Sequence, residues 1–243
     1  MLGWELPPHN SGGLGTACLQ MCKALSSKGV DIEFIVPYTA PHDNITFMKV
    51  TPALPVNVYD IQLGGMAYDS YLYTYKNKTT EEVSITQQSE RYVKAVENHA
   101  ILGKFDIIHA HDWLTFRAAL RAKEISGKPL IAHVHATEFD RSGGKSGNPF
   151  VHEIEYNGLM LADKVVAVSQ LTKDIIVNQY DIPADKIEVM HNGAETELYN
   201  DLDTDNAYKY LSKMHSKGYR IVANVGRLTI QKGLYNLLLA AKE

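Results

Sequence analysis

Short apolar segments that alternate with helical patterns constrain the fold of this 243-residue chain more than any other feature. Residues 105–111, 129–135 and 164–169 are nearly continuous apolar runs, and a segment with helical spacing follows each of them. Strands that are apolar on both faces are typical of parallel sheets covered by helices. The pattern therefore predicts an α/β fold with a mainly parallel sheet.

The rest of the chain fits the same alternation. We expect helices over 14–28, 80–103 and 113–126 and from about 150, strands at 31–37 and 186–190, and a locally antiparallel region over 45–75. After a polar stretch at 201–206 a helix, a strand at 220–225 and a last helix should begin a second α/β domain. We place the boundary near residue 200, with domains 1–200 and 201–243. Because one strand and its helices cannot bury a core, we expect the sequence to be part of a longer protein.

Polar residues cluster where the predicted strands end. They are a glycine-rich turn at 12–15, His109 to Trp113, His135 to Glu138, Ser169, and His191 to Gly193. In parallel α/β sheets, ligands bind beyond the carboxyl ends of the strands. The placement predicts one shared site at this edge.

Two groups of residues, one in this set and one further along the chain, suit an anionic ligand. Gly12 and Gly13 precede a helix, whose free N–H groups and dipole attract phosphate, although the same glycines could serve only a tight packing turn. Arg227 and Lys232 follow the predicted strand at 220–225 and are well placed to hold a diphosphate.

Four histidines form two His-x-His pairs, His109 with His111 and His133 with His135. Residues two apart in a strand share a face, so the rings could serve a metallohydrolase with carboxylates such as Asp112 completing the shell. We favour the alternative in which one ring of each pair packs under the sheet and the other lines the cleft, because the expected further ligands are missing. The acidic run at 201–205 lacks the glycine and the glutamate of a calcium loop, so we expect no metal.

Composition and charge limit the classes of molecule that this chain is expected to bind. A net charge of −4 gives no long-range attraction for nucleic acid, and no apolar run is long enough to span a bilayer, which leaves peripheral membrane contact open. The N-terminus lacks a secretory signal pattern. Cys18 and Cys22 are too few for a disulfide framework and are interpreted as packing residues in a reducing compartment. We expect a cytoplasmic protein.

Several of these segments together resemble one enzyme family. They occur in the family's order at 5–8, 11–15, 109–113, 135–143, 162–169, 192–193 and 226–233. The set resembles the retaining glycosyltransferases of the glycogen- and starch-synthase-like group (family 4, or group 1), which have two facing Rossmann-like domains, the GT-B fold. The resemblance implies a Rossmann-like sheet with helices on both faces, a role in carbohydrate biosynthesis, and metal-independent transfer of a hexose, glucose first, from a UDP-, ADP- or GDP-sugar to a glycan or other hydroxyl acceptor. It implies no cofactor.

The resemblance also assigns roles to individual residues. His135 would hydrogen-bond the transferred sugar and orient it. Asp112 and Glu138 would face the sugar or the acceptor. The remaining four residues would hold the donor diphosphate: Gly12, Gly13, Arg227 and Lys232.

Two departures qualify the resemblance. Asn10 stands where ADP-glucose synthases usually carry lysine, which favours a UDP- or GDP-sugar. The family's Glu-x7-Glu element would lie beyond residue 243, so we expect this chain alone to be inactive. A nucleotide-sugar epimerase of the same architecture, a histidine-rich metallohydrolase and a non-catalytic sugar-binding module are the alternatives.

Overall fold

The computed structural model describes residues 1–10, 12–55, 57–63, 70–193, 206–226, 228 and 230–242. The chain divides into two compact units, Met1–Gly193 and Ala194–Glu243. The predicted domain boundary near residue 200 falls within 194–205, outside the described residues, and stays a prediction.

The first unit alternates strands and helices as the sequence predicts. Its strands are β1 (Glu33–Val36), β2 (Lys49–Pro52), β3 (Val58–Leu63), β4 (Ser70–Tyr75), β5 (Thr80–Ser84), β6 (Ile108–His111), β7 (Leu130–Val134), β8 (Lys164–Ala167) and β9 (Ile187–Val189). Its α-helices are α1 (Gly13–Ser26), α2 (Ile85–Leu102), α3 (Trp113–Ser126), α4 (Glu138–Arg141), α5 (Pro149–Leu161) and α6 (Gln170–Tyr180), with a 3₁₀ turn at Ala184–Lys186.

The main sheet is parallel. Strands β6, β7, β8 and β9 lie side by side in that order, and β1 pairs in parallel with β2. Leu2 joins the two groups, because it bridges Ile35 of β1 and Ala110 of β6, both in parallel. The segment around Leu2 thus lies between β1 and β6, in the place of a central strand. The predicted α/β fold with a mainly parallel sheet is confirmed.

A separate three-stranded antiparallel sheet contains β3, β4 and β5. It confirms the expected antiparallel region, except that β2 pairs in parallel with β1. The predicted helix at 80–103 is wrong for its first five residues, which form β5. Val83 of this strand is buried, and Ser84 caps α2 through a capping box with Gln87. The residues before the cap therefore pair with β4 instead of extending the helix.

Aromatic side chains fill the core beneath the first residues. The rings of Trp4 and Tyr92 meet edge to face with centroids 5.4 Å apart, and Trp4 meets Tyr71 in the same way at 6.1 Å. All three are buried. This packing fixes the chain immediately before the glycine-rich turn.

The second unit contains α7 (Asn206–Ser216), a 3₁₀ turn at Ile230–Lys232 and α8 (Leu234–Ala240). The strand predicted at 220–225 is not formed: this segment has no regular structure, and Val222 and Val225 are 72% and 97% exposed. A strand exists only when it pairs with a neighbour, and the described residues of this unit offer none.

Within the described part of the chain, none of the helices combines the length and the apolar character that crossing a membrane requires.

Candidate functional site

The glycine-rich turn leads directly into α1 and is held at two points. The Glu5 carboxylate is buried and accepts a hydrogen bond from the Gly15 N–H at 3.3 Å. Asn10 Nδ2 donates to the carbonyl of Gly12 at 2.7 Å. The turn therefore has a defined shape, which a loop that binds an anion needs.

The glycines of this turn differ in what surrounds them. A Cβ atom on Gly15 would lie 3.0 Å from the Glu5 carbonyl oxygen and from Asn10 Cβ, so packing explains this glycine. A Cβ on Gly13 would meet nothing within 4 Å, and one on Gly12 only Glu5 Oε1 at 3.9 Å. The packing interpretation thus fits Gly15, whereas Gly12 and Gly13 leave bare backbone at the start of a helix.

The four histidines form a ladder of stacked rings at the carboxyl ends of β6 and β7. His109 Nε2 and His133 Nδ1 are hydrogen-bonded at 3.1 Å, and His111 Nδ1 and His135 Nε2 at 3.1 Å. His111 and His133 are buried, whereas His109 and His135 are only partly buried. One ring of each His-x-His pair is therefore packed inside, as the favoured alternative expects.

Burial keeps these rings neutral. It lowers the pKa of His135 to about 4 and that of His133 and His109 to about 3, and it lowers the pKa of His111 well below its ordinary value. Neighbouring histidines add to the effect for His109, His111 and His133. At neutral pH His135 is therefore a neutral hydrogen-bonding group and not a cation.

Asp112 ties the ends of β6 and β7 together. Its Oδ1 accepts the His135 N–H at 2.7 Å, and its own N–H donates to the His133 carbonyl at 3.0 Å. It adopts a φ of 59°, a left-handed conformation that is strained for a residue other than glycine. Burial raises its pKa to about 6 despite the nearby Arg141 guanidinium and the His135 N–H. The structure thus places Asp112 beside His135 through the backbone.

Glu138 begins α4 and its carboxylate is engaged within its own loop. Oε2 contacts Arg141 Nε at 3.1 Å, and Oε1 accepts the Asn148 N–H at 2.9 Å. Its contacts shape the loop that follows His135. Its predicted role toward sugar or acceptor stays a prediction.

Two residues that sequence reasoning missed support this loop from behind. Glu155 on α5 is 3% exposed, accepts the Glu138 N–H at 2.9 Å, and also contacts Arg141 and the Tyr180 hydroxyl. Arg141 Nη1 donates to the Ala136 carbonyl at 2.8 Å. The available signal was a carboxylate on the apolar face of α5, between Ile154 and Gly158.

The helix behind the glycine turn lies against the ladder. One donor atom each of Cys18 on α1, His111 and His135 lie within 4.8 Å of one another, and so do those of His109, His111 and His133. These are the groups that could hold a metal ion among the residues the structure describes. The Cys18 contact brings the glycine turn and His135 to the same edge of the sheet.

In the second unit Lys232 ends the 3₁₀ turn and is exposed, with its side-chain stem near Gly226. Arg227 lies outside the described residues. The proposed diphosphate pair therefore stays a prediction.

A family profile and curated relatives both relate this chain to glycosyltransferases. The profile of glycosyltransferase family 4 matches residues 11–198. The chain is 28% identical over 248 residues to an uncharacterized glycosyltransferase of Methanocaldococcus jannaschii, covering 99% of this chain and 58% of the relative. It is 24% identical over 248 residues to a glycogen synthase of Mycobacterium tuberculosis, covering 99% and 56%.

Solved structures agree on the fold. The structure of HepE from Anabaena in complex with UDP-glucose matches with a TM-score of 0.58 at 16% identity, over 99% of this chain and 56% of that one. Sucrose-phosphate synthase from Thermosynechococcus elongatus matches with a TM-score of 0.58 at 14% identity, over 80% and 47%. The chain thus spans about half the length of these relatives and solved structures. With more than half of its residues matched by the profile, the chain belongs to glycosyltransferase family 4.

Proposed function

We propose that the complete protein is a retaining, metal-independent glycosyltransferase that moves a hexose, glucose first, from a nucleoside-diphosphate sugar to a glycan or other hydroxyl acceptor. One observation carries the proposal: a neutral, partly buried His135 is fixed by Asp112 at the end of β7, beside the helix that begins at the bare glycines. Such an arrangement offers a hydrogen-bonding group for a sugar next to a phosphate-binding helix start.

The proposed chemistry needs charge stabilisation more than it needs a protein nucleophile. The acceptor oxygen forms a bond to the anomeric carbon while the bond from that carbon to the leaving phosphate breaks. The acceptor proton passes to the leaving phosphate on the same face, which retains configuration. In this proposal Gly12 and Gly13 N–H groups, with Arg227 and Lys232, stabilise the negative charge that develops on the phosphate.

The family and the fold neighbours support a nucleotide-sugar donor. HepE was solved with UDP-glucose, and the mycobacterial relative is a glycogen synthase. Asn10 makes a UDP- or GDP-sugar the better first candidate than ADP-glucose. A cytoplasmic location is also proposed, because Cys18 and Cys22 are both free thiols.

The test replaces His135 in the complete protein and measures transfer from a panel of nucleotide sugars. We expect His135→Ala to reduce kcat/KM by on the order of 100-fold or more, as loss of a transition-state hydrogen bond does. His99→Ala is the matched control, because His99 is also partly buried, has a pKa lowered by burial, and lies at the end of α2. Normal transfer by a folded His135→Ala protein would refute the assignment.

Product analysis tests the reaction class. We expect a new glycosidic bond with the configuration of the donor, and no conversion of the donor sugar when acceptor is withheld. Epimerised donor in the absence of acceptor would identify an epimerase instead.

A further inference from the structure

One thiol and two imidazoles meet beside the glycine turn from three separate parts of the chain. Cys18 on α1, His111 at the end of β6 and His135 after β7 each place a donor atom within 4.8 Å of the other two. Around a tetrahedral Zn²⁺ ion, with Zn–N of about 2.0 Å and Zn–S of about 2.3 Å, the two nitrogens lie about 3.3 Å apart and each lies about 3.5 Å from the sulfur. Modest side-chain rotations therefore suffice to bring the three atoms onto one ion.

The state of His111 points to a missing partner. Its ring is 0% exposed, and its Nε2 has no hydrogen-bond partner among the described residues. A buried polar atom without a partner is costly, and a cation bound by Nε2 itself removes that cost, whereas Nδ1 of the same ring already has His135 as its partner. His135 is only partly buried and gives an ion a path in from solvent.

Two groups of side chains could hold a metal ion, one with Cys18 and one with histidines alone, and charge favours the group with Cys18. His109, His111 and His133 would surround a dication with three neutral rings inside the sheet, and buried charge needs compensation. The thiolate form of Cys18 supplies one negative charge. Burial, and after it the nearby carboxylates of Asp112 and Glu5, raise the pKa of the Cys18 thiol, so the thiolate forms only when a cation binds the sulfur and offsets these negative charges.

We propose that Cys18, His111 and His135 form a binding site for a thiophilic divalent transition metal, with Zn²⁺ as the probe. The Cys18 thiol releases its proton to solvent as the sulfur–metal bond forms, and one nitrogen of each ring supplies the other two bonds. The fourth position stays open to water.

The site is inhibitory and not catalytic. A His135 ring that ligates a metal cannot hydrogen-bond the donor sugar in its working orientation. This consequence rests on the proposed function, whereas metal binding itself does not.

Cobalt spectroscopy tests the site without any activity measurement. We expect Co²⁺ to give the purified protein a thiolate-to-metal charge-transfer band that Zn²⁺ abolishes by competition. Cys18→Ser should lose the band and bind Zn²⁺ at least about 10-fold more weakly, because loss of a ligand costs at least as much as loss of a group that supports one. Cys22→Ser is the matched control, because Cys22 is also buried one turn further along α1 but is not in the group. A wild-type protein without the band, or a Cys18→Ser protein that keeps it, overturns the proposal.

A second measurement covers the case in which Cys18→Ser does not fold. Alkylation of the wild-type protein is followed at each cysteine by peptide mass spectrometry, with and without Zn²⁺. Both thiols are buried, so the reaction is run until Cys18 is measurably alkylated without the ion. Selective slowing of Cys18 alkylation by Zn²⁺ supports the site, and an equal measurable rate with and without the ion refutes it.

Activity then separates this proposal from the proposed function. Zn²⁺ should inhibit the complete wild-type and Cys22→Ser enzymes reversibly on chelation, and Cys18→Ser should need at least ten times more of the ion. Cobalt binding through Cys18 without inhibition would keep the site and refute the role of His135. Inhibition that does not depend on Cys18 would refute the inhibitory site.

Discussion

At the scale of single residues, packing explains one glycine of the turn, whereas others leave backbone open for a ligand. Gly15 is closed in by the Glu5 backbone and by Asn10, whereas Gly13 is exposed with open space where a side chain would be. Substitution by alanine should therefore affect stability at Gly15 and ligand binding at Gly13.

Gly15→Ala should lower stability and Gly13→Ala should lower donor binding. In a helix alanine is favoured over glycine by up to about 1 kcal/mol, but overpacking against fixed backbone costs about 1–3 kcal/mol, so we expect a net loss of about 1 kcal/mol for Gly15→Ala. Gly13→Ala should leave the free energy of unfolding nearly unchanged. Urea unfolding and titration of the complete protein with a nucleoside diphosphate measure the two effects. Equal stability losses for both variants would contradict the division.

The sequence located the residues at strand ends but not those that support them. His135, Asp112 and the glycines follow from the rule that ligand sites form where parallel strands end. Glu155 and Arg141 did not, because their contact depends on how α5 packs beside the loop, which no local pattern specifies. The hydrogen bond from the His135 N–H to Asp112 was likewise invisible, since it needs the unusual φ of Asp112.

At the scale of elements, the presence or absence of a neighbouring strand explains the two segments whose secondary structure the sequence pattern predicted wrongly. Residues 80–84 could extend the following helix, yet they pair with β4, and the Ser84 capping box sets the start of α2. Residues 220–225 show the opposite case. Their apolar pattern predicts a strand, but no strand of the second unit among the described residues pairs with them, and they have no regular structure. Helix α3, in contrast, begins and ends where it is predicted, with Asp112 at a non-helical φ of 59° before it and Gly127 in the left-handed conformation after it.

The contact between α3 and α5 gives a prediction at this scale. A Cβ atom on Gly158 would lie 2.4 Å from Cδ2 of Phe116, whose side chain is 1% exposed. Gly158→Ala should therefore separate the helices and cost about 1–3 kcal/mol of unfolding free energy, measured by urea denaturation. The same change in a Phe116→Leu background should cost less, because the smaller side chain gives room. An equal cost in both backgrounds would show that this contact is not the cause.

At the scale of the whole molecule, the first residues and the histidine ladder both tie the sheet together. Leu2 bridges β1 and β6, and the ladder crosses from β6 to β7 at the edge where the site forms. The ladder is hydrogen-bonded through neutral rings. Protonation of the rings therefore opposes folding of the main sheet and not only the chemistry of the site.

This coupling predicts loss of stability in mild acid. The ladder histidines have pKa values in the folded protein below the 6.5 of an ordinary histidine, so the unfolded chain binds more protons below that pH. Their contribution is complete above pH 6.5 and is lost as the pH falls toward about 3, with each proton adding up to about 1.4 kcal/mol per pH unit. Asp112 and Glu155, whose pKa values burial raises, oppose only part of this slope.

Urea unfolding between about pH 7.5 and 4.5 measures this slope. We expect the free energy of unfolding to fall steadily below pH 6.5 and to fall less steeply, by about one proton, in a His109→Gln variant. His215→Gln is the control, because His215 is exposed on α7 and outside the ladder, and it should leave the slope unchanged. If stability stayed constant from pH 6.5 to 4.5, the neutral ladder would not be what holds the ends of β6 and β7 together.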